Sequence, residues 1–186
     1  MELNLYKFNY EFDEDKLMEE AKGTGYVPFT DVGNQTTKQF KEWMSENPHM
    51  RDKVIDFYRK MNSRTEVKES WNCPYAISIE NYFAELTGFE VVSRFYLQKS
   101  GFKLPLHTDK GTECSINMLL GEGHDPIKFK GHAEYYKTAL LNVQELHGVD
   151  TTQDRYLFKV SFKNNTFEEV KSVLSSKLSS KQKTIT

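Results

Sequence analysis

Leu104-Pro105-Leu106-His107-Thr108-Asp109 decides how this chain is read. On a strand, residues two apart point to the same face, so the His107 imidazole and the Asp109 carboxylate can grip one metal ion together. His147 follows downstream within Leu146-His147-Gly148-Val149, and Arg155 opens the next apolar run. Two histidines and one carboxylate on one side of a metal leave its other positions open, which suits a non-haem iron(II) centre. A lone His-x-Asp is a weak motif, and a histidine between apolar residues is commonly a core residue. Here each strengthens the other, because together they complete three ligands.

The surrounding sequence reads as short strands: Phe89 to Gln98, Leu104 to Asp109, Cys114 to Leu120, Pro126 to Phe129, Thr138 to Val143 and Arg155 to Phe162. Turn chemistry separates them, notably Lys99-Ser100-Gly101 and Gly121-Glu122-Gly123. Regular short strands imply a sandwich or barrel with the three ligands converging near one mouth. Alternation assigns faces within the longer strands. Arg155, Leu157, Lys159 and Ser161 oppose Tyr156, Phe158, Val160 and Phe162; Arg94, Tyr96 and Gln98 form a polar face that can line a pocket. Lys159 is unexplained at this stage: it lies beyond the pocket or adds a second cation to it.

His107-Thr108-Asp109, the run ALLNVQELHGV at 139 to 149, and RYLFKVSF at 155 to 162 resemble the double-stranded β-helix core of the 2-oxoglutarate and Fe(II)-dependent oxygenases. The resemblance covers roughly residues 89 to 163. It implies an α+β fold with a jelly-roll, cupin-like core and N-terminal helices packed on one side. It also implies an enzyme that takes Fe(II), 2-oxoglutarate as cosubstrate and dioxygen, and hydroxylates its substrate while forming succinate. His107, Asp109 and His147 would hold the iron, and Arg155 would pair with the far carboxylate of 2-oxoglutarate. A planar guanidinium suits that task on its own chemistry, since it clasps a carboxylate with two parallel hydrogen bonds and stays charged in a partly buried pocket. Tyr96 occupies the place of a tyrosine near the cosubstrate in many members; the alternative is a ring that simply packs in the barrel. Asn117 is a second cosubstrate-contact candidate, or a buried asparagine tying two strands together. Leu157 stands where many members carry the serine of an Arg-x-Ser pair, and Ser161 stands where the nucleic-acid demethylases carry a second arginine. Collagen-type prolyl hydroxylases use lysine in place of Arg155. The substrate expected is therefore a peptidyl side chain, prolyl-like, or a small molecule, and not a nucleic acid.

Bulk properties agree with that reading. At 186 residues the chain is one domain by length, long enough to bury about 70% of its unfolded surface. A net charge of −2 gives no electrostatic footprint for nucleic acid. Two cysteines make no disulfide framework, and the apolar runs are too short for a signal peptide or membrane span, so a cytoplasmic location is expected. Composition leaves the oligomeric state open.

Upstream, Leu3 to Phe12 reads as an edge strand, and Asp13 as the N-cap of a helix ending at Lys22 before Gly23. Residues 26 to 34 read as a loop. Helices are expected from Thr37 to Glu46, from Pro48 to about Met61 and from Ser78 to Leu86, with Trp43 and Phe57 packing on the sheet. Residues 62 to 76 read as a loop over the mouth, through which Trp71 or Tyr75 would meet substrate or anchor the chain. Tyr135-Tyr136 would border the substrate or stand exposed at a strand entry. Thr166 to Glu169 is a capping box opening a last helix, and the Ser- and Lys-rich residues 179 to 186 are expected to be disordered. Two rival functions keep the same barrel. One is a cupin-like metal protein of other chemistry, which would usually carry His-x-His in the first motif. The other is a non-catalytic module binding a partner through its helices or tail.

Overall fold

A computed structural model of the chain describes residues 4–28, 45–50, 65–122 and 124–182. Eleven strands and three α-helices are present among them: β1 (Leu5–Lys7), α1 (Glu14–Lys22), β2 (Val27–Pro28), β3 (Thr65–Glu69), α2 (Pro74–Thr87), β4 (Val91–Gln98), β5 (Lys103–His107), β6 (Cys114–Leu120), β7 (Ile127–Phe129), β8 (His132–Glu134), β9 (Thr138–Leu141), β10 (His147–Asp150), β11 (Arg155–Phe162) and α3 (Phe167–Gln182). Pro48–Met50 forms a 3-10 turn.

The pairing of the last eight strands is nested. β4 pairs with β11, β5 with β10, β6 with β9 and β7 with β8, all antiparallel. One long antiparallel ribbon, closed at the β7–β8 end, therefore winds between two sheets, which is the jelly-roll or double-stranded β-helix topology. The larger sheet runs β1-β9-β6-β11-β4-β3-β2 and the smaller β5-β10-β7-β8. The three helices are joined to this β-core, and the fold is α+β.

Alternation along the strands builds two separate apolar layers. Phe95, Ile116, Met118, Phe158, Val160 and Phe162 face the helices, where they meet Leu17 of α1, Ile79 and Phe83 of α2, and Val170 and Leu174 of α3. Leu119, Leu157, Ala139, Leu141, Ile127 and Phe129 face inward between the sheets. Each fully buried side chain of this size contributes about 1.5–3 kcal/mol. The helix side of the large sheet is thus the stabilising core, leaving the inter-sheet side free to carry polar groups.

The helices are capped as the sequence indicates, with one long-range addition. Asp13 accepts from the Lys16 N–H at 3.1 Å at the start of α1. Thr166 and Glu169 exchange the capping-box bonds of α3. α2 begins four residues earlier than expected, with Pro74 in its first turn and no side-chain cap from Cys73. Instead Glu20 of α1 accepts from the Tyr75 and Ala76 N–H groups, both at 2.8 Å, and supplies the negative charge that a helix N-terminus favours. Gly88 ends α2 in the left-handed conformation at φ 74°.

Several expectations are corrected. The N-terminal edge strand is only Leu5–Lys7, at the rim of the large sheet against β9. Residues 65–69, expected in a loop over the mouth, form β3 inside the large sheet between β2 and β4. Their charges hid the strand: Lys68 is buried, with its ammonium donating to the Glu20 carbonyl and lying over the Tyr26 and Phe95 rings. Val27–Pro28, also expected in a loop, pairs with β3. Trp71 is 75% exposed, and the Tyr75 hydroxyl accepts from the Asp13 N–H. α3 runs through Gln182, past residue 179, because extending an anchored helix costs little even for Ser and Lys. The helices expected over 37–46 and 48–61 lie almost wholly outside the described residues. Among the described residues no helix is long and apolar enough to cross a membrane.

Candidate metal centre

The register of β5 against β10 brings two of the three expected ligands together. His107 ends β5, His147 begins β10, and the two are direct cross-strand partners, so their rings lie 4.6 Å apart. A bulge follows immediately, between His147 and Val149. Bulges re-aim side chains near functional sites. Asp109 lies just past the strand end and is held by its backbone: its N–H donates to the Val143 carbonyl at 2.9 Å. Its carbonyl accepts from the Gln144 side chain, which also donates to Thr112. The loop after β5 is in this way latched to the loop before β10.

The ligand atoms converge. Asp109 Oδ1 is 3.4 Å from His107 Nε2 and 3.7 Å from His147 Nε2, and one atom from each of the three residues lies within 4.8 Å of the others. His147 Nδ1 is 2.9 Å from the Glu145 carbonyl. A carbonyl only accepts, so Nδ1 carries the proton and Nε2 turns its lone pair toward the group. Asp109 divides its two oxygens: Oδ1 faces the imidazoles while Oδ2 accepts from Lys159 Nζ. A His-Asp-His set so arranged could bind a metal ion, and its nitrogen and oxygen donors fit a divalent ion of the iron type.

The electrostatics hold these ligands ready. Burial raises the Asp109 carboxyl, but the Lys159 charge and the His107 hydrogen bond outweigh it, leaving the group well below the ordinary carboxylate range. Burial pushes His147 down to about 4 against the opposing pull of Asp109. For Lys159, burial disfavours the charge, yet Asp109 and the neighbouring Tyr96 raise it above its ordinary value. At neutral pH the carboxylate is therefore ionised and the His147 imidazole neutral, as metal ligands must be.

Arg155 stands in the same pocket, a cavity of about 370 Å³ that also holds the triad. Antiparallel register sets it opposite Gln98, whose Oε1 accepts from Nη1 at 2.5 Å. Nη2 donates to the Tyr136 hydroxyl at 3.0 Å. The residue is only 3% exposed, its Nε–H has no acceptor, and no carboxylate among the described residues pairs with it. A buried guanidinium without a counter-charge is costly unless an anion is meant to reach it.

The other expected residues fall into place around this frame. Tyr96 lines the pocket with the Lys159 ammonium 5.9 Å from its ring centroid. Asn117 lines the pocket from β6; its side-chain oxygen accepts from Ser115 of the same strand and its amide donates to the Tyr136 hydroxyl at 3.4 Å, in the connection between β8 and β9. Arg94 lines the mouth but is engaged by Glu69 at 2.8 Å. Of the tyrosine pair, Tyr135 is exposed and Tyr136 is buried as the shared hinge between Arg155 and Asn117. Gln98 lies on the face expected to line a pocket, but its bond to Arg155 and the Asp109 contact of Lys159 were not foreseen. Only the strand register reveals them, although the face shared by Arg155 and Lys159 was visible in the alternation.

No protein-family model matches the chain, and no curated protein matches it. Among solved structures it is similar to a prolyl 4-hydroxylase from Phytophthora capsici, at 13% identity over 85% of this chain and 68% of that one, with a TM-score of 0.40. It is also similar to an ectoine synthase from P. lautus (19%, 46% of this chain, 62% of that one, TM-score 0.33). An RmlC-like cupin protein from Desulfovibrio desulfuricans is a third (17%, 39% and 72%, TM-score 0.32). The chain thus spans less than two thirds of the ectoine synthase. Likenesses this weak carry no argument about activity, which has to come from the site itself.

Proposed function

We propose that this protein is a 2-oxoglutarate- and Fe(II)-dependent oxygenase that hydroxylates its substrate. The observation that carries the reading is one pocket holding both a convergent His-Asp-His set and a buried guanidinium that no carboxylate among the described residues pairs with. His107 Nε2, Asp109 Oδ1 and His147 Nε2 would hold the iron, and Arg155 would take the far carboxylate of the oxo acid. Bound there, iron(II) would supply the redox chemistry by which 2-oxoglutarate and dioxygen become succinate and CO2, with one oxygen atom entering a substrate C–H bond.

The chain's own residues bind, orient and shield. Gln98 and Tyr136 fix the guanidinium plane, whose Nε is buried without a hydrogen-bond partner among the described residues. Glu145 fixes the His147 tautomer. Leu157, Ile127 and Val149 line the pocket with apolar surface that keeps water from the reacting centre. At about 370 Å³ the cavity is at the small end of ligand sites. It suits the cosubstrate together with a single inserted group, so a peptidyl side chain of prolyl type is the first substrate class to try and a small molecule the second.

Anaerobic addition of Fe(II) and 2-oxoglutarate tests the reading. A weak visible charge-transfer band, reporting keto-acid chelation, is expected in the wild type and should vanish in Arg155→Ala at moderate cosubstrate. Iron binding with no band would instead favour a cupin-like metal protein of other chemistry. No binding of either would leave the interaction module.

A further inference from the structure

Among the described residues three buried side-chain polar atoms lack a hydrogen-bond partner: the Tyr26 hydroxyl, Thr65 Oγ1 and Arg155 Nε. Two of the three belong to one pocket. Thr65 opens β3 and stands directly opposite Gln98 of β4, which in turn stands directly opposite Arg155 of β11. Cross-strand partners share a face, and all three residues line the cavity. Strands in a sheet lie about 4.8 Å apart, so the backbones of Thr65 and Arg155 are separated by about two such steps. The guanidinium narrows that gap, because its Nη1 reaches back to Gln98 Oε1 at 2.5 Å. One end of the cavity is thus walled by a polar row whose two outer members are buried, Thr65 at 6% exposure, and incompletely bonded. Buried polar groups are nearly always paired, so a hydroxyl orphaned beside an orphaned guanidinium nitrogen calls for a shared partner.

We propose that Thr65 completes the carboxylate end of the oxo-acid site, its hydroxyl donating to the far carboxylate of 2-oxoglutarate beside the Arg155 guanidinium. This rests on the function proposed above and adds a specificity-determining residue to the same site. A carboxylate offers two oxygens and about four acceptor positions, more than one guanidinium fills. On the Arg155 face of β11 the next residue is Leu157, which has no donor, so the hydroxyl comes from across the sheet. β3 lies outside the nested ribbon of eight strands. The acid site is therefore shared between the jelly roll and a strand appended to it. A hydroxyl adds a donor without adding charge, and it favours a carboxylate over an apolar end of the same length.

The test uses the full chain and reads binding by calorimetry, first with Mn(II) alone and then with 2-oxoglutarate added to the Mn(II)-loaded protein. Thr65→Val keeps the shape of the side chain and removes the hydroxyl. It should bind Mn(II) as the wild type does and melt at the same temperature or higher. Its affinity for 2-oxoglutarate should fall about ten- to a hundredfold, the range for a hydrogen bond to a charged group. Thr65→Ser, which restores the hydroxyl, should recover most of that loss. Wild-type affinity for the acid in Thr65→Val would overturn the proposal. So would a Val variant that melts lower and weakens both ligands, which would make Thr65 structural, or a Ser variant as weak as the Val. If the wild type binds the acid and Arg155→Ala loses it while Thr65→Val does not, this inference alone fails. A wild type that takes up no 2-oxoglutarate removes the oxygenase reading, and this inference with it.

Discussion

The protonation of His147 gives a quantitative handle on the metal-free site. In an unfolded chain a histidine titrates near about 6.5. In the folded protein burial holds His147 at about 4, despite the attraction of Asp109. Between these values the unfolded chain binds a proton that the folded chain does not. The contribution is fully present above the unfolded value, and stability declines as pH falls from about 6.5 toward about 4. Two and a half units at about 1.36 kcal/mol each give about 3 kcal/mol over the window. Most of this, about 2–3 kcal/mol, should be gone by pH ~4.5. Asp109 does not confound the measurement, because a depressed carboxylate loses its contribution only below its unfolded value of about 3.9. His124, also lowered chiefly by burial, does contribute, so the comparison needs His147→Gln as reference. Urea unfolding with a chelator present, at about pH 7.5 and about pH 4.5, should show the wild type losing about 2–3 kcal/mol more than the variant. Equal losses in the two proteins would mean that His147 is not held neutral by its surroundings, and the account of a preset ligand would fail.

Further outcomes follow from the same contacts. Arg155→Met should leave the melting temperature of the ligand-free protein unchanged or higher, since an uncompensated buried charge is removed, while 2-oxoglutarate affinity falls about a hundredfold. Melting curves and calorimetry on one preparation check both halves, and a large loss of stability would mark Arg155 as structural. Glu20→Ala should cost about 1–3 kcal/mol in urea unfolding by stripping the acceptor from two N–H groups at the start of α2. Phe158→Ala, between the large sheet and the helices, should cost about 3–5 kcal/mol, read in the same way.

The parts of this molecule legible in the sequence are those whose information is local. β6 and β11 were found to the residue because their alternation is long and turns bound them. The three candidate ligands and Arg155 were singled out in the sequence, and the nested strand pairing explains why they share one cavity. What escaped depends on partners far along the chain. β3 is a strand because β4 pairs with it and because Lys68 buries its stem, neither of which Thr-Glu-Val-Lys-Glu announces. β8 has only three residues and β10 four, too few to show a period. The start of α2 was missed because its cap comes from Glu20, fifty-five residues before Tyr75. Lys159 was a puzzle until the barrel folded Asp109 over it.

The most direct test of the central claim is a crystal structure of the protein prepared anaerobically with Fe(II) and 2-oxoglutarate. The account expects iron bound by His107 Nε2, Asp109 Oδ1 and His147 Nε2, with the far carboxylate of the acid on the Arg155 guanidinium. Iron bound elsewhere, or an acid whose far carboxylate avoids Arg155, would contradict it.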